Sequence, residues 1–270
     1  MSPRQACLQC LQRDPPALFE AALWVAAEHD PELQPAQVLN DLHGLQLQVS
    51  AGLPVLPARE LAQPLLRRLA ELDFQEDDAG ISRPRHALLH EVLRRRRGQP
   101  LALALIALEL ARRLEILEIP LQGVNFPGHF MLRVPGADHL LDPCGGRRLY
   151  TRDCRDQLYR QLGPGVELSA EHLQTADAQA MLRRLSRNLR MLHMQHDAPD
   201  AALKDAERVL LLGPATLADH LARADVYRQL DCPQGERYDL EHALLFCDED
   251  GLRLKLSERL RKLARTPAVH

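Results

Sequence analysis

Few side chains in this sequence are placed to do chemistry. His129 opens one strand-like run and Asp142 closes the next. An Asp that fixes the tautomer of a His makes that His a usable base. Cys144 lies two residues beyond Asp142, at the same strand end. Facing His129, its thiol would form a thiol–imidazole pair, the nucleophile of cysteine hydrolases and acyltransferases. The blander reading is preferred: a small, partly buried cysteine that fills space, as free cysteines usually do. Ser82 and Thr151 carry hydroxyls, but nothing around them supports a nucleophilic role. Cys7-x-x-Cys10 is half of a zinc or redox motif. A zinc site needs two more ligands, and there is no second cysteine pair to supply them. The 12 histidines form no pair at helical spacing with a third ligand in view. No metal and no cofactor are therefore expected. Arg94–Arg97 could meet an anionic partner, but a solvated helix end is the simpler reading, since cations stabilise a helix C-terminus.

The bulk of the chain limits the other options. Its 270 residues suffice for one large domain or two ordinary ones. Hydrophobic residues make up 46% but aromatics only 4%, so the core must be Leu, Ala and Val. That mixture, with Arg, Gln and Glu between, favours helix. A net charge of -3 gives no general affinity for nucleic acid or membrane. The longest apolar run, Leu101–Leu108, is too short to span a bilayer. Residues 1–13 lack a signal-like apolar stretch, and the six scattered cysteines read as free thiols, so a cytoplasmic location is expected.

The elements that would position these residues follow from periodicity. Helices are expected at 15–30 and 35–50, and at Ala58–Leu72 with Pro64 as a kink. Residues 73–84, with Gly80 and Pro84, read as a loop, and His86–Arg95 as a short helix. Gly98-Gln99-Pro100 breaks the chain, and Pro is well tolerated in the first turn of a helix. Leu101–Leu114 is apolar nearly all round, which predicts a buried central helix. Leu121–Phe126, His129–Val134 and His139–Leu141 are short runs separated by Pro-Gly turns. They predict a small antiparallel sheet ending at Asp142-Pro143-Cys144-Gly145-Gly146. Gly163-Pro164-Gly165 reads as a boundary between a domain over 1–165 and a helical one over 171–265. The helices at 1–85 are expected to form the first layer of the former.

Beyond residue 171 everything reads as helical, in units at 171–196, 200–212, 215–230, 234–247 and 251–264. Paired helices in succession suggest a tetratricopeptide-type solenoid, whose period is 34 residues. With Pro214 as a repeat's closing proline, Leu189, Ala202 and Ala206 fall at packing positions. Ala224, Tyr227, Leu240 and Ala243 fall there in the next unit. The usual Trp and Leu-Gly pair are missing, and generic helical hairpins are the alternative.

Residues 86–150 resemble the SirB-type branch of the transglutaminase-like superfamily. The matching segments are Val92-Leu93-Arg94-Arg95-Arg96-Arg97-Gly98-Gln99-Pro100, Glu109-Leu110-Ala111-Arg112-Arg113-Leu114, Val124-Asn125-Phe126-Pro127-Gly128-His129-Phe130 and Asp142-Pro143-Cys144-Gly145-Gly146. The resemblance implies a mostly helical α+β fold: a degenerate transglutaminase-like, or papain-like, domain with a small antiparallel sheet, then tetratricopeptide-like hairpins. In that fold a Gly-x-Cys opens the buried helix, whose N-terminus lowers the thiol pKa, and a His and an Asp complete the triad. Here Pro100 stands at the nucleophile position, with His129 and Asp142 at the other two. Cys144 and His86 depart from the pattern, which commonly has Phe and Asn at those places.

Proline has no nucleophile, so the standard reaction cannot run from position 100. The sequence therefore reads as a pseudoenzyme: a protein-interaction or regulatory protein whose unknown protein or peptide partner meets residues 171–265. The alternative is a cysteine enzyme using Cys144 with His129 and Asp142.

Overall fold

The computed structural model describes residues 1–77, 82–114 and 117–265, so Gly80 of the expected loop lies outside the described residues. The chain is mostly helical and divides into two compact units, Met1–Leu185 and Ser186–His270. That division falls well past Gly163–Gly165.

In the first unit the N-terminal helices are α1 (Pro3–Leu11), α2 (Leu18–Ala27), α3 (Pro35–Ser50) and α4 (Ala62–Glu71). Helix α1 was not expected. Its buried residues are Ala6, Cys7 and Cys10, a weakly apolar set that reveals itself only by packing on α2. Cys7-x-x-Cys10 is thus part of a core face. Burial first, then the charge of Glu20, pushes the Cys10 thiol up to about 11, which makes it a poor thiolate. Pro64 does not kink α4. The helix begins at Ala62 after a 3-10 turn over Ala58–Glu60, so Pro64 falls in its first turn, where no N–H is missed.

Helix α5 (Leu89–Arg95) ends at Arg96, whose backbone is left-handed at φ 56°. Helix α6 (Pro100–Arg113) follows directly. Leu101 through Ala107 are all buried, as expected of a central helix, and α2, α4 and α5 pack on it. Its one buried acid, Glu109, is held by Arg112 and Arg113 at 2.8 and 2.7 Å.

The arginine run before Gly98 is not a solvated helix end. Arg94 alone is largely exposed, pairing with Glu91. Arg95 meets Asp77 at 3.5 Å, Arg96 donates to the Leu72 carbonyl, and Arg97 pairs with Asp73. These contacts clip the segment after α4 to the turn before α6. Strand β1 (Gln75–Glu76) lies there in parallel register with β2 (Arg97–Gly98). Gly98 is required by close approach: a Cβ there would meet both Val92 methyls at 2.7 Å and the His86 carbonyl at 3.1 Å.

The sheet is a four-stranded antiparallel meander of β3 (Gln122–Val124), β4 (Met131–Arg133), β5 (Leu140–Leu141) and β6 (Arg148–Leu149). Three strands were expected; the Asp142–Gly146 segment is a turn into a fourth. Helix α7 (Thr151–Leu162), also not anticipated, covers one face through Cys154 and Leu158. Residues past Gly165 return to the sheet: Thr175 bridges Val124, and the Ala176 amide donates to Gly123.

Helix α8 (Ala178–Gln195) runs through the division between the units. The second unit continues with α9 (Pro199–Leu211), α10 (Leu217–Gln229), α11 (Pro233–Leu245) and α12 (Asp250–Arg265), each packed on the next. Leu189, Ala202, Ala206, Ala224, Leu240 and Ala243 are buried as their spacing predicts, while Tyr227 is half-buried. Among the described residues no helix is long and apolar enough to cross a membrane.

Candidate functional site

Three elements present the residues singled out from the sequence. Pro100 is the first residue of α6, half-exposed, with Gln99 as N-cap. The Gln99 amide donates to the His86 carbonyl at 2.7 Å, and its side chain donates to Ser82 Oγ at 3.1 Å. Ser82 is thus a hydrogen-bond acceptor beside the helix start. Thr151 is the first residue of α7.

His129 precedes β4 and Asp142 directly follows β5, two strands paired through Leu132 and Leu141. That register brings His129 Nε2 to 3.5 Å from Asp142 Oδ1. The separation is that of an electrostatic contact, not a formed hydrogen bond, and Nε2 is buried with no hydrogen-bond partner. The second contact to Asp142 comes from the Cys144 main-chain N–H, which donates to Oδ1 at 2.9 Å. This is an Asx-type turn, in which an aspartate bonds the backbone two residues on. Asp142 N–H donates in turn to the Arg147 carbonyl, closing the hairpin between β5 and β6. Gly145 and Gly146 take φ of 82° and 70° there, and Gln63 of α4 donates to the Gly146 carbonyl at 2.8 Å. The half-buried Cys144 is therefore a turn residue, joined to the pair through its backbone.

Burial works against ionisation of Asp142. The facing His129, the Cys144 amide and the charge of Arg147 outweigh it and hold the carboxyl below its usual range.

A second His–Asp pair lies at the start of α6. His86 is 2% exposed, and its Nε2 is 2.8 Å from Asp77. Its Nδ1 accepts the Arg83 amide, while Nε2 faces both Asp77 and the Arg85 Nε–H at 3.4 Å. Burial first lowers the His86 pKa, and neighbouring arginines add to this against the pull of Asp77. A histidine held neutral by the fold contributes stability that is complete above its unfolded value of 6.5 and is lost as pH falls through the folded one. The urea midpoint should therefore fall between about pH 7.5 and about pH 5.5, and fall less in His86→Gln. An identical pH slope in the variant would remove His86 from the account.

The family model of the transglutaminase-like superfamily matches residues 36–187, which ends where the first compact unit ends. The chain belongs to this superfamily. A UPF0162 protein of Pseudomonas aeruginosa is 60% identical over 265 residues, covering 98% of this chain and 97% of that one. Protein SirB1 of Salmonella typhimurium is 29% identical over 76% of this chain and 78% of its own length. The YchA protein of Escherichia coli, also a UPF0162 protein, is 29% identical over 68% of this chain and 69% of its own. The SirB-type assignment made from residues 86–150 is thus shown, with the mostly helical α+β fold. No solved structure matches the chain. Within the matched region His129 faces Asp142, and Pro100 opens α6.

Proposed function

We propose that the chain is a non-catalytic interaction or regulatory protein of the cytoplasm. Its degenerate transglutaminase-like domain would act as scaffold, and tetratricopeptide-like hairpins over 171–265 would hold a protein or peptide partner. The observation that carries this is Pro100 as the first residue of α6. The position that would supply the nucleophile has none, and the other candidate, Cys144, serves as the turn residue whose amide binds Asp142. Two features of the second unit support the repeat reading. Asp205 and Asp239 are both fully buried and stand 34 residues apart, the tetratricopeptide period. Large apolar side chains at Leu211, Tyr238, Leu245 and Leu254 are also exposed, which suits a partner-binding surface.

The test is thiol reactivity of the intact chain. Iodoacetamide should label Cys144 slowly near neutral pH, at a rate indifferent to His129→Ala. Fast labelling that His129→Ala abolishes would overturn the reading in favour of a cysteine hydrolase or acyltransferase built on Cys144, His129 and Asp142. Crosslinks from a bound partner should map to residues 171–265; crosslinks confined to 1–165 would move the binding surface.

A further inference from the structure

We infer that the first unit carries an oxyanion site, for a phosphate-type dianion, in the cleft between the start of α4 and the β4–β5 and β6 edge of the sheet. The cleft encloses about 380 Å³ and is lined by Arg59, Arg67, Arg148, His139, Gln63 and Glu60, among others. That volume is of the order of known small-ligand sites, and larger than orthophosphate alone needs.

The charges decide what the cleft can hold. Arg59 and Arg67 come from the 3-10 turn and first turns of α4, and Arg148 from β6. Arg148 is far in sequence from the other two, and the fold brings it to their cavity. Most arginines elsewhere in this unit have a carboxylate or a carbonyl: Arg4, Arg13, Arg68 and Arg94–Arg97 are all engaged. Arg59, Arg67 and Arg148 have neither an ion pair nor a hydrogen bond among the described residues. Glu60 is in the same lining and likewise makes no ion pair, so the three guanidiniums leave two positive charges after it is counted. Asp138 faces His139 at 2.8 Å and its charge also acts on Arg148, so the cleft keeps one net positive charge with the ring neutral and two with it protonated. That net positive charge favours an oxyanion, and with the His139 ring protonated it matches a phosphate dianion. Guanidinium forks also fit the planar pairs of oxygens on phosphate bidentately, which lysines would not.

The site lies apart from the Pro100–His129–Asp142 frame in residue content, and it does not depend on whether that frame is catalytic. All three arginines are exposed, so their replacement leaves no buried charge and the variants should fold.

The test is isothermal titration of the full chain with pyrophosphate, inorganic phosphate and a phosphoserine peptide, at fixed ionic strength with chloride as control. Saturable binding of pyrophosphate or phosphate is expected, weakened about tenfold by each of Arg59→Gln and Arg148→Gln. Arg94→Gln, on an arginine outside the cleft, should bind as the unaltered chain does. Binding of the peptide but not of the inorganic anions would identify a phosphorylated protein as the source of the group. Binding of the inorganic anions alone would identify a small phosphorylated compound. Heat no greater than that of chloride for all three ligands, or binding untouched by Arg59→Gln and Arg148→Gln together, would overturn the site.

Discussion

Asp239→Ala should destabilise the second unit by about 3–5 kcal/mol, the cost of removing one partner from a buried charged cluster. Asp239 is fully buried on α11. Its Oδ1 faces His220 Nδ1 at 2.8 Å, and both its oxygens accept from Arg223, at 2.7 and 2.9 Å, which forms a fork. Burial disfavours the charge on Arg223, but Asp239 outweighs it and raises the guanidinium pKa above its ordinary value. Removing the carboxylate leaves that cation with only the Tyr227 and Tyr238 rings, and the His220 ring without its hydrogen-bond partner. Hydrogen exchange should show lost protection across α10 and α11, and urea unfolding a lower midpoint. Asp138→Ala, which removes a largely exposed carboxylate, should leave both unchanged. A cost below about 1 kcal/mol for Asp239→Ala would mean that water satisfies the cluster.

The same chemistry recurs 34 residues earlier, with partners at other positions. Asp205 is fully buried, faces His193 Nδ1 at 2.7 Å, and accepts from the wholly buried Arg208 at 2.7 Å. Each aspartate ties two consecutive helices, α8 to α9 and α10 to α11. Such clusters add little to stability compared with apolar replacements. Their contribution is registry: a wrong pairing of helices would bury a charge alone. Replacing Asp239, His220 and Arg223 together by apolar residues of similar size should accordingly recover most of what Asp239→Ala loses.

The 34-residue spacing of these aspartates is present in the sequence, but nothing there marks them as buried. An Asp in a helical run reads as surface, because carboxylates are almost never fully buried unless paired. Helix α6 was legible nearly to the residue, since an unbroken apolar run behind Gly-x-Pro leaves it no alternative. Helix α7 was not: only Cys154 and Leu158 of its 12 residues are buried, one weak stripe in a polar segment. The arginine run misled for a related reason. Its side chains are solvated by type and tethered by position, to Asp77, the Leu72 carbonyl and Asp73. At the site, the residues were legible and their relation was not. The sequence puts Cys144 two places from Asp142; only the left-handed glycines behind it show a turn, with the amide engaged.

Pro100→Cys should install a reactive thiol where the chain now has none. Position 100 is the first of α6 and half-exposed, so the change removes a ring, adds one N–H that water can satisfy, and leaves the buried run from Leu101 intact. Aligned peptide dipoles at a helix N-terminus favour an anion there. The new thiol should therefore titrate below the ordinary value of about 8.5, and react with iodoacetamide near neutral pH about tenfold faster than Cys144. The His129–Asp142 contact supplies the discriminating arm. A frame that still has its catalytic geometry would make this reactivity fall in Pro100→Cys/His129→Ala, because an imidazolium beside the thiolate stabilises it. A frame kept only for its fold would leave the helix effect and lose nothing with His129. Labelling no faster than that of an ordinary exposed cysteine would show that α6 lends position 100 no useful field, and would separate this domain from the thiol chemistry of its superfamily altogether.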